Sequence, residues 1–199
     1  MAAALTGSSR SCLCIGVIAE DQTDGQTLRV LLQKLCGSGT RVPIRADSGG
    51  GSIVRKGTRW MADLGREGCS AVIIVHDLDR DSQTGRLRDE GALRARLEQL
   101  QPPRGVSRYI CIPVEELEAW FWADEKVLCQ VARGPVKAQT RPETLRQPKE
   151  ELMRRSRDAG NKPRYATNDN PRLALHLDIE LCAKRCPSFH KLREFVTAL

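Results

Sequence analysis

Three acids at alternate positions, Asp77, Asp79 and Asp81, follow directly on the apolar run Ala71-Val72-Ile73-Ile74-Val75. Three carboxylates within five residues repel one another unless a cation sits among them, and hard oxygen donors suit Mg2+ or Mn2+. The chemistry open to such a site is metal-assisted, with water activated and developing charge neutralised. A fourth acid, Glu20, closes a separate apolar run, Leu13 to Ala19. One acid at a strand tip is explained by the dipole of the helix behind it. Two strand tips that offer carboxylates to one sheet edge are harder to explain that way. Asp81 has the alternative role of a turn residue or of a cap for the helix expected over 91–100. The Asp77–Asp81 spacing resembles the start of a calcium loop, but that pattern fails at its sixth and twelfth positions, occupied by Ser82 and Arg88.

Other candidates are weaker. Gly49-Gly50-Gly51 lie in a loop whose amides can cradle a phosphate, although no Gly-Lys-Ser/Thr follows to make it a P-loop. Glu118 sits between Leu117 and the aromatic run Trp120-Phe121-Trp122, where a carboxylate is costly unless it is paired or opens on a cleft. Cys182, Cys186 and His190 share a spacing of four, but Pro187 interrupts them and no fourth zinc ligand is evident. Several of the eight cysteines fall within expected strands and helices, and no secretion signal is evident, so free thiols in a cytoplasmic protein are the reading.

The elements that position these residues follow from periodicity. Apolar runs at 13–19, 41–46, 71–75 and 107–113 read as strands, with Pro43 placing the second at a sheet edge. Helical spacing fills the gaps, with Thr23 or Asp24 as the cap of the first helix and others over 53–65, 91–100 and 115–124. Glu115 and Glu116 are then expected to complement a helix dipole. Strand–helix alternation argues for a mostly parallel α/β sheet with helices on both faces, and ligands of such sheets bind at the carboxyl ends of the strands. Residues 1–11 read as a disordered leader, 12–132 as the α/β core, and 133–199 as a basic helical extension packed on it, with helices over 149–157, 171–183 and from 187 onward. No apolar run is long enough to span a membrane.

The net charge of +7 is uneven, since residues 133–172 hold eleven Lys/Arg against five Asp/Glu. A basic stretch beside an acidic site fits a polyanion partner. Arg154, Arg155 and Lys162 are the phosphate-binding candidates within it.

Glu20 after the first strand and Asp77-Leu78-Asp79 after a later one resemble the acidic signature of Toprim domains, found in topoisomerases, primases and OLD-type nucleases. The chain is most similar to small Toprim proteins of the RloB-like and related families of restriction and phage-defence loci. The similarity runs through Ala19–Asp24, Gly49–Gly51, Asp77–Asp81, Pro113–Trp120, Pro148-Lys149 and Cys186–Phe189. Asp21 stands where many Toprim domains have glycine. The resemblance implies a Toprim-like, Rossmann-like fold and hydrolysis of phosphodiester bonds in nucleic acid, DNA ahead of RNA. It implies Glu20 as general acid/base or metal-facing acid, Asp77 and Asp79 as holders of Mg2+ (or Mn2+), and Asp81 and Glu118 as second-metal ligands. Lys149 would stabilise charge at the phosphodiester. With no Walker motif in the chain, any ATP use implies a separate ATPase partner. Two other functions stay open: a non-catalytic Toprim subunit that binds nucleotide or nucleic acid within a defence complex, and a phosphohydrolase or phosphotransferase of small phosphorylated molecules. The residues leave the oligomeric state open.

Overall fold

The computed structural model of the chain describes residues 13–47 and 51–199. The expected leader at 1–11 and two residues of the expected phosphate cradle, Gly49 and Gly50, lie outside them. Four strands, β1 (Ile15–Ala19), β2 (Ile44–Ala46), β3 (Ala71–Val75) and β4 (Ser107–Cys111), form one sheet in the order β2-β1-β3-β4. Every pairing is parallel, so the α/β reading holds. β1 and β3 are buried at every position, which is why their sequences are apolar without alternation. β2 is an edge strand. The Pro43 carbonyl still accepts from the Val17 N–H at 2.9 Å, and the missing proline N–H costs nothing where no further strand is paired.

Alternation along the strands divides the core in two. Ile15, Val17, Ala19, Ile73 and Val75 face α1 (Gln22–Cys36) and the C-terminal helices. Ile18, Val72 and Ile74 face α2 (Ser52–Arg66) and α3 (Glu90–Glu98). The chain leaves β1 toward β2 on one side and returns to β3 on the other, so the strand order reverses between β1 and β3. The carboxyl end of that crevice is where open α/β sheets bind ligands.

Several local expectations are corrected. The cap of α1 is Asp21, whose carboxylate accepts from the N–H groups of Thr23 (2.7 Å) and Asp24 (2.9 Å), leaving the Asp24 side chain free for another use. The helix expected over 115–124 is a 3-10 helix, Leu117–Ala123, buried at all seven positions. Asp124 ends it in an extended conformation and caps α4 (Glu125–Val131) through the Lys126 N–H. After α5 (Pro148–Arg155), the helix expected over 171–183 is two, α6 (Asn170–His176) and α7 (Ile179–Arg185). Asp178 caps α7 through Leu181 N–H, and Lys34 Nζ covers the carbonyls of Ala174, Leu175 and Leu177 at the end of α6. The last helix is α8 (Pro187–Thr197).

The segment after residue 132 contributes to the main core. Leu173, Cys182, Phe189 and Leu192 are fully buried with β1 and β3 in one apolar cluster. Trp120 meets Phe189 edge-on with centroids 5.0 Å apart, and its indole N–H reaches Ser188 Oγ at 2.9 Å. Every described cysteine is an unbridged thiol. Cys182 and Cys186 are buried, while the His190 ring points to exposed Glu194, so the three do not converge. Among the described residues no helix is long and apolar enough to cross a membrane.

Gly25 gives this frame a sharp test. A Cβ there would lie 2.4 Å from Ile44 Cγ2, where α1 presses on β2. Gly25→Ala is expected to destabilise by about 1–3 kcal/mol. At roughly 2–4 °C per kcal/mol for a chain of this size, a thermal melt should show a drop of several degrees.

Candidate functional site

The acids gather where the sheet order reverses. Glu20 continues β1. His76 and Leu78 extend the β3 ladder through backbone bonds to Cys111 O (3.1 Å) and Pro113 O (2.9 Å), so Asp77 and Asp79 stand on fixed backbone. Leu78 points into the α2/α3 core, which turns Asp77 and Asp79 to the opposite side. The Asp77 N–H donates to Glu20 Oε1 at 3.3 Å, and His76 Nδ1 lies 2.6 Å from the same oxygen. Burial works against a charged His76, but the hydrogen bond and charge of Glu20 outweigh it and raise its pKa.

Asp77 is the centre of the site. Its Oδ1 is buried and has no hydrogen-bond partner among the described residues. Burial pushes its carboxyl well above the usual carboxylate range, and the charges of Asp24, Glu118, Glu20 and Glu116 push the same way. Asp24, in the first turn of α1, is pushed up to about 8 by burial and then by Asp21, Glu118 and Glu20. Asp79 is raised by burial and by Glu20, against the pull of Arg88, whose guanidinium lies 3.9 Å away.

The second half of the site comes from the Glu115–Ala123 segment and α5. Glu115 does not serve a helix dipole. It is 5% exposed, accepts from Arg80 Nε (2.6 Å) and Gln147 N–H (2.8 Å), and adopts a left-handed backbone, as does Gln147. Such conformations cost on the order of 1–3 kcal/mol each and persist where the surroundings over-determine them. This clamp fixes Glu116 beside α5, where it binds both Lys149 Nζ (2.6 Å) and Lys149 N–H (3.0 Å). Burial disfavours the Lys149 charge, but Glu116 more than compensates and raises its pKa. Glu118, 4% exposed, accepts from Asn170 Nδ2 at 2.9 Å. The Tyr165 hydroxyl lies 3.3 Å from it and 2.7 Å from Asn170 Oδ1.

Glu20, Asp77, Glu118 and Lys149, drawn from distant parts of the sequence, therefore share one electrostatic cluster, with Asp79 at its mouth. Asp81 is elsewhere. Its Oδ1 accepts from Thr84 N–H (2.8 Å) and Gln83 N–H (3.1 Å) in a turn, and these bonds hold its carboxyl below the usual range. Arg154 and Arg155 are both engaged by Glu151 on α5, and Lys162 lies in an exposed loop whose backbone N–H is bound by Asp158. Gly51 is the N-cap of α2. Sequence reasoning overlooked Asp24, His76 and Glu116. Of the three only His76 carried a local signal, since it directly precedes Asp77.

A cleft of about 290 Å³ opens on these acids. Its lining includes Glu20, Asp77 and Asp79 together with Leu93, Arg88 and Arg96. The donor set fits Mg2+ in kind. It consists of carboxylates in excess of their cationic partners, one of them with an orphaned buried oxygen. Among the described residues no three His, Cys, Asp or Glu side chains form a ready cage. Mg2+ is commonly held by one or two carboxylates, retaining waters and taking substrate phosphates.

No curated protein and no solved structure matches the chain. Residues 19–197, from the last residue of β1 to the end of α8, match the family described as "Domain of unknown function (DUF4276)", and the chain belongs to that family.

Proposed function

We propose that this protein is a Mg2+-dependent nuclease of Toprim type, hydrolysing phosphodiester bonds of nucleic acid. The observation that carries the reading is Asp77, a half-buried residue whose buried Oδ1 has no partner among the described residues, with other carboxylates around it at the reversal point of a parallel sheet. Such an arrangement is costly by itself and is relieved by a cation. Asp77 and Asp79 would hold Mg2+, with Glu118 and Asp24 in reserve behind them. The ion would supply an activated water and neutralise charge on the leaving oxygen.

The chain's own residues supply the rest. Glu20 and His76, 2.6 Å apart, share a proton and can take one from a water or return one to a leaving oxygen. Lys149 carries a positive charge held in place by Glu116. Arg88 and Arg96 line the same cleft and are suited to draw a phosphate toward the acids. Neither described tyrosine is placed to form a covalent phosphodiester. Tyr109 stacks on Phe195 at 5.0 Å, and Tyr165 is buried at Asn170. Water is the nucleophile in this proposal. The resemblance to defence-associated Toprim proteins makes an ATPase encoded alongside the partner to include.

The test is incubation with end-labelled single- and double-stranded DNA and RNA, in Mg2+, Mn2+ or chelator, with and without that ATPase. Cleavage should require the metal. Glu20→Gln should slow it by about 10²–10⁴-fold, the range of a lost acid–base group. If no nucleic acid is cleaved under either metal, with or without the ATPase, the proposal fails.

A further inference from the structure

A second cavity, of about 310 Å³, lies between the end of α4 and the loop before α6. It is lined by Arg133, Arg164 and Arg172, with Asp169 the one carboxylate and Tyr165 in the wall. Asp169 is already engaged on both oxygens, by Arg172 Nη2 (3.1 Å) and by Ala166 N–H (3.0 Å). The Arg133 and Arg164 guanidiniums make no side-chain hydrogen bond or ion pair among the described residues. Asp158 acts on both through space, but its Oδ1 is taken by the N–H groups of Gly160 (2.9 Å) and Lys162 (3.1 Å).

The two free arginines are not on loose chain. The Arg133 N–H donates to Arg155 O at 2.9 Å. The N–H groups of Arg164 and Tyr165 both donate to Ser156 Oγ at 3.1 Å, and that fully buried hydroxyl donates onward to Met153 O. The platform is ordered while the guanidiniums it presents are exposed. Arginines held in this way, with their donors unused, suit planar, forked recognition of phosphate oxygens. The volume sits at the low end of small-ligand sites, roughly 300–1,000 Å³, which is room for a phosphate with its sugar.

From this geometry we infer that Arg133, Arg164 and Arg172 form a phosphate-binding site distinct from the carboxylate cleft, taking a phosphate of a nucleic-acid strand or of a free nucleotide. Tyr165 joins the two places, since it lines the cavity and its hydroxyl reaches Asn170 and Glu118. Within the basic stretch Arg133 and Arg164 are free to bind, whereas Arg154 and Arg155 are spent on Glu151.

The experiment measures binding in chelator, so that it reads independently of the proposed hydrolysis. A short fluorescent oligonucleotide is titrated with the full chain at several salt concentrations, and pyrophosphate and ADP are titrated by calorimetry. Arg133→Gln/Arg164→Gln changes only exposed side chains, and far-UV circular dichroism checks that the fold is kept. That variant should weaken the wild-type binding at least about tenfold and make the salt slope shallower by about two, while Arg154→Gln/Arg155→Gln leaves the slope unchanged. Binding of the oligonucleotide alone assigns the site to a strand backbone; binding of pyrophosphate and ADP as well assigns it to free nucleotide too. Wild-type protein that binds none of the probes, or a double variant that binds them as the wild type does, overturns the inference.

Discussion

Asp77→Asn is expected to do two opposite things: abolish metal-dependent cleavage and raise the melting temperature of the metal-free protein. The first follows from its place as the carboxylate on which the cluster converges. Loss of a metal-holding group removes several kcal/mol of transition-state stabilisation, and about 4 kcal/mol is a factor of ~10³ in rate. The second follows from its isolation. An acid with one buried, unpartnered oxygen and four acidic neighbours must either stay protonated or carry a poorly compensated charge. An amide of the same shape avoids both. A gain of about 1–2 kcal/mol, or several degrees in a thermal melt, is the expected outcome. Functional groups held at a cost to stability give such a pairing of effects. Cleavage at wild-type rate would remove Asp77 from the mechanism. A lower melting temperature would show that its orphaned oxygen has a structural partner after all.

The parts of this site that the sequence made legible are those governed by local rules. An apolar β-branched run marks a buried strand, and the acids that end it mark the strand tip, so Glu20, Asp77 and Asp79 were readable without the fold. The edge position of β2 was readable from Pro43. Asp24 was not, because caps are assigned from residue type alone. Asp21, one residue nearer the strand, took the cap, and Asp24 was freed to face Glu118, a residue far along the chain that only packing brings near. Glu115 and Glu116 follow the same logic. Their partners, Gln147 and Lys149, lie some thirty residues on, and no periodicity links them. The basic stretch shows where counting charges falls short. Glu151 precedes Arg154 and Arg155 by three and four residues, a spacing at which opposite charges pair along a helix. That spacing marks both as occupied, whereas Arg133 and Arg164 lack such a neighbour.

The same packing of acids makes the stability of the metal-free protein depend on pH in a definite direction. Burial and then its acidic neighbours push Asp24 up to about 8 in the folded chain, against 3.8 for an exposed aspartate. Between those values the folded state keeps a proton that the unfolded chain has released, so stability falls as pH rises. Asp77, Asp79 and Glu116 are shifted the same way. His76, also raised, loses its favourable contact with Glu20 as pH climbs through its folded value, which adds to the same trend. The described carboxylates with lowered values, Asp47, Asp81, Glu151 and Asp158, act only below the ordinary carboxylate range. In chelator, the melting temperature should therefore drop between about pH 5 and about pH 8, with Asp24 alone contributing roughly 1 kcal/mol per pH unit. Asp24→Asn should flatten the curve by that share. Mg2+ should oppose the trend, since binding to ionised carboxylates strengthens as they deprotonate and stabilises the state that binds it. A profile that is flat or rises with pH in chelator would mean that the carboxylates are not crowded as described. A profile that falls and is restored by Mg2+ at the alkaline end would link the electrostatic cost of the cluster to the ion proposed to relieve it.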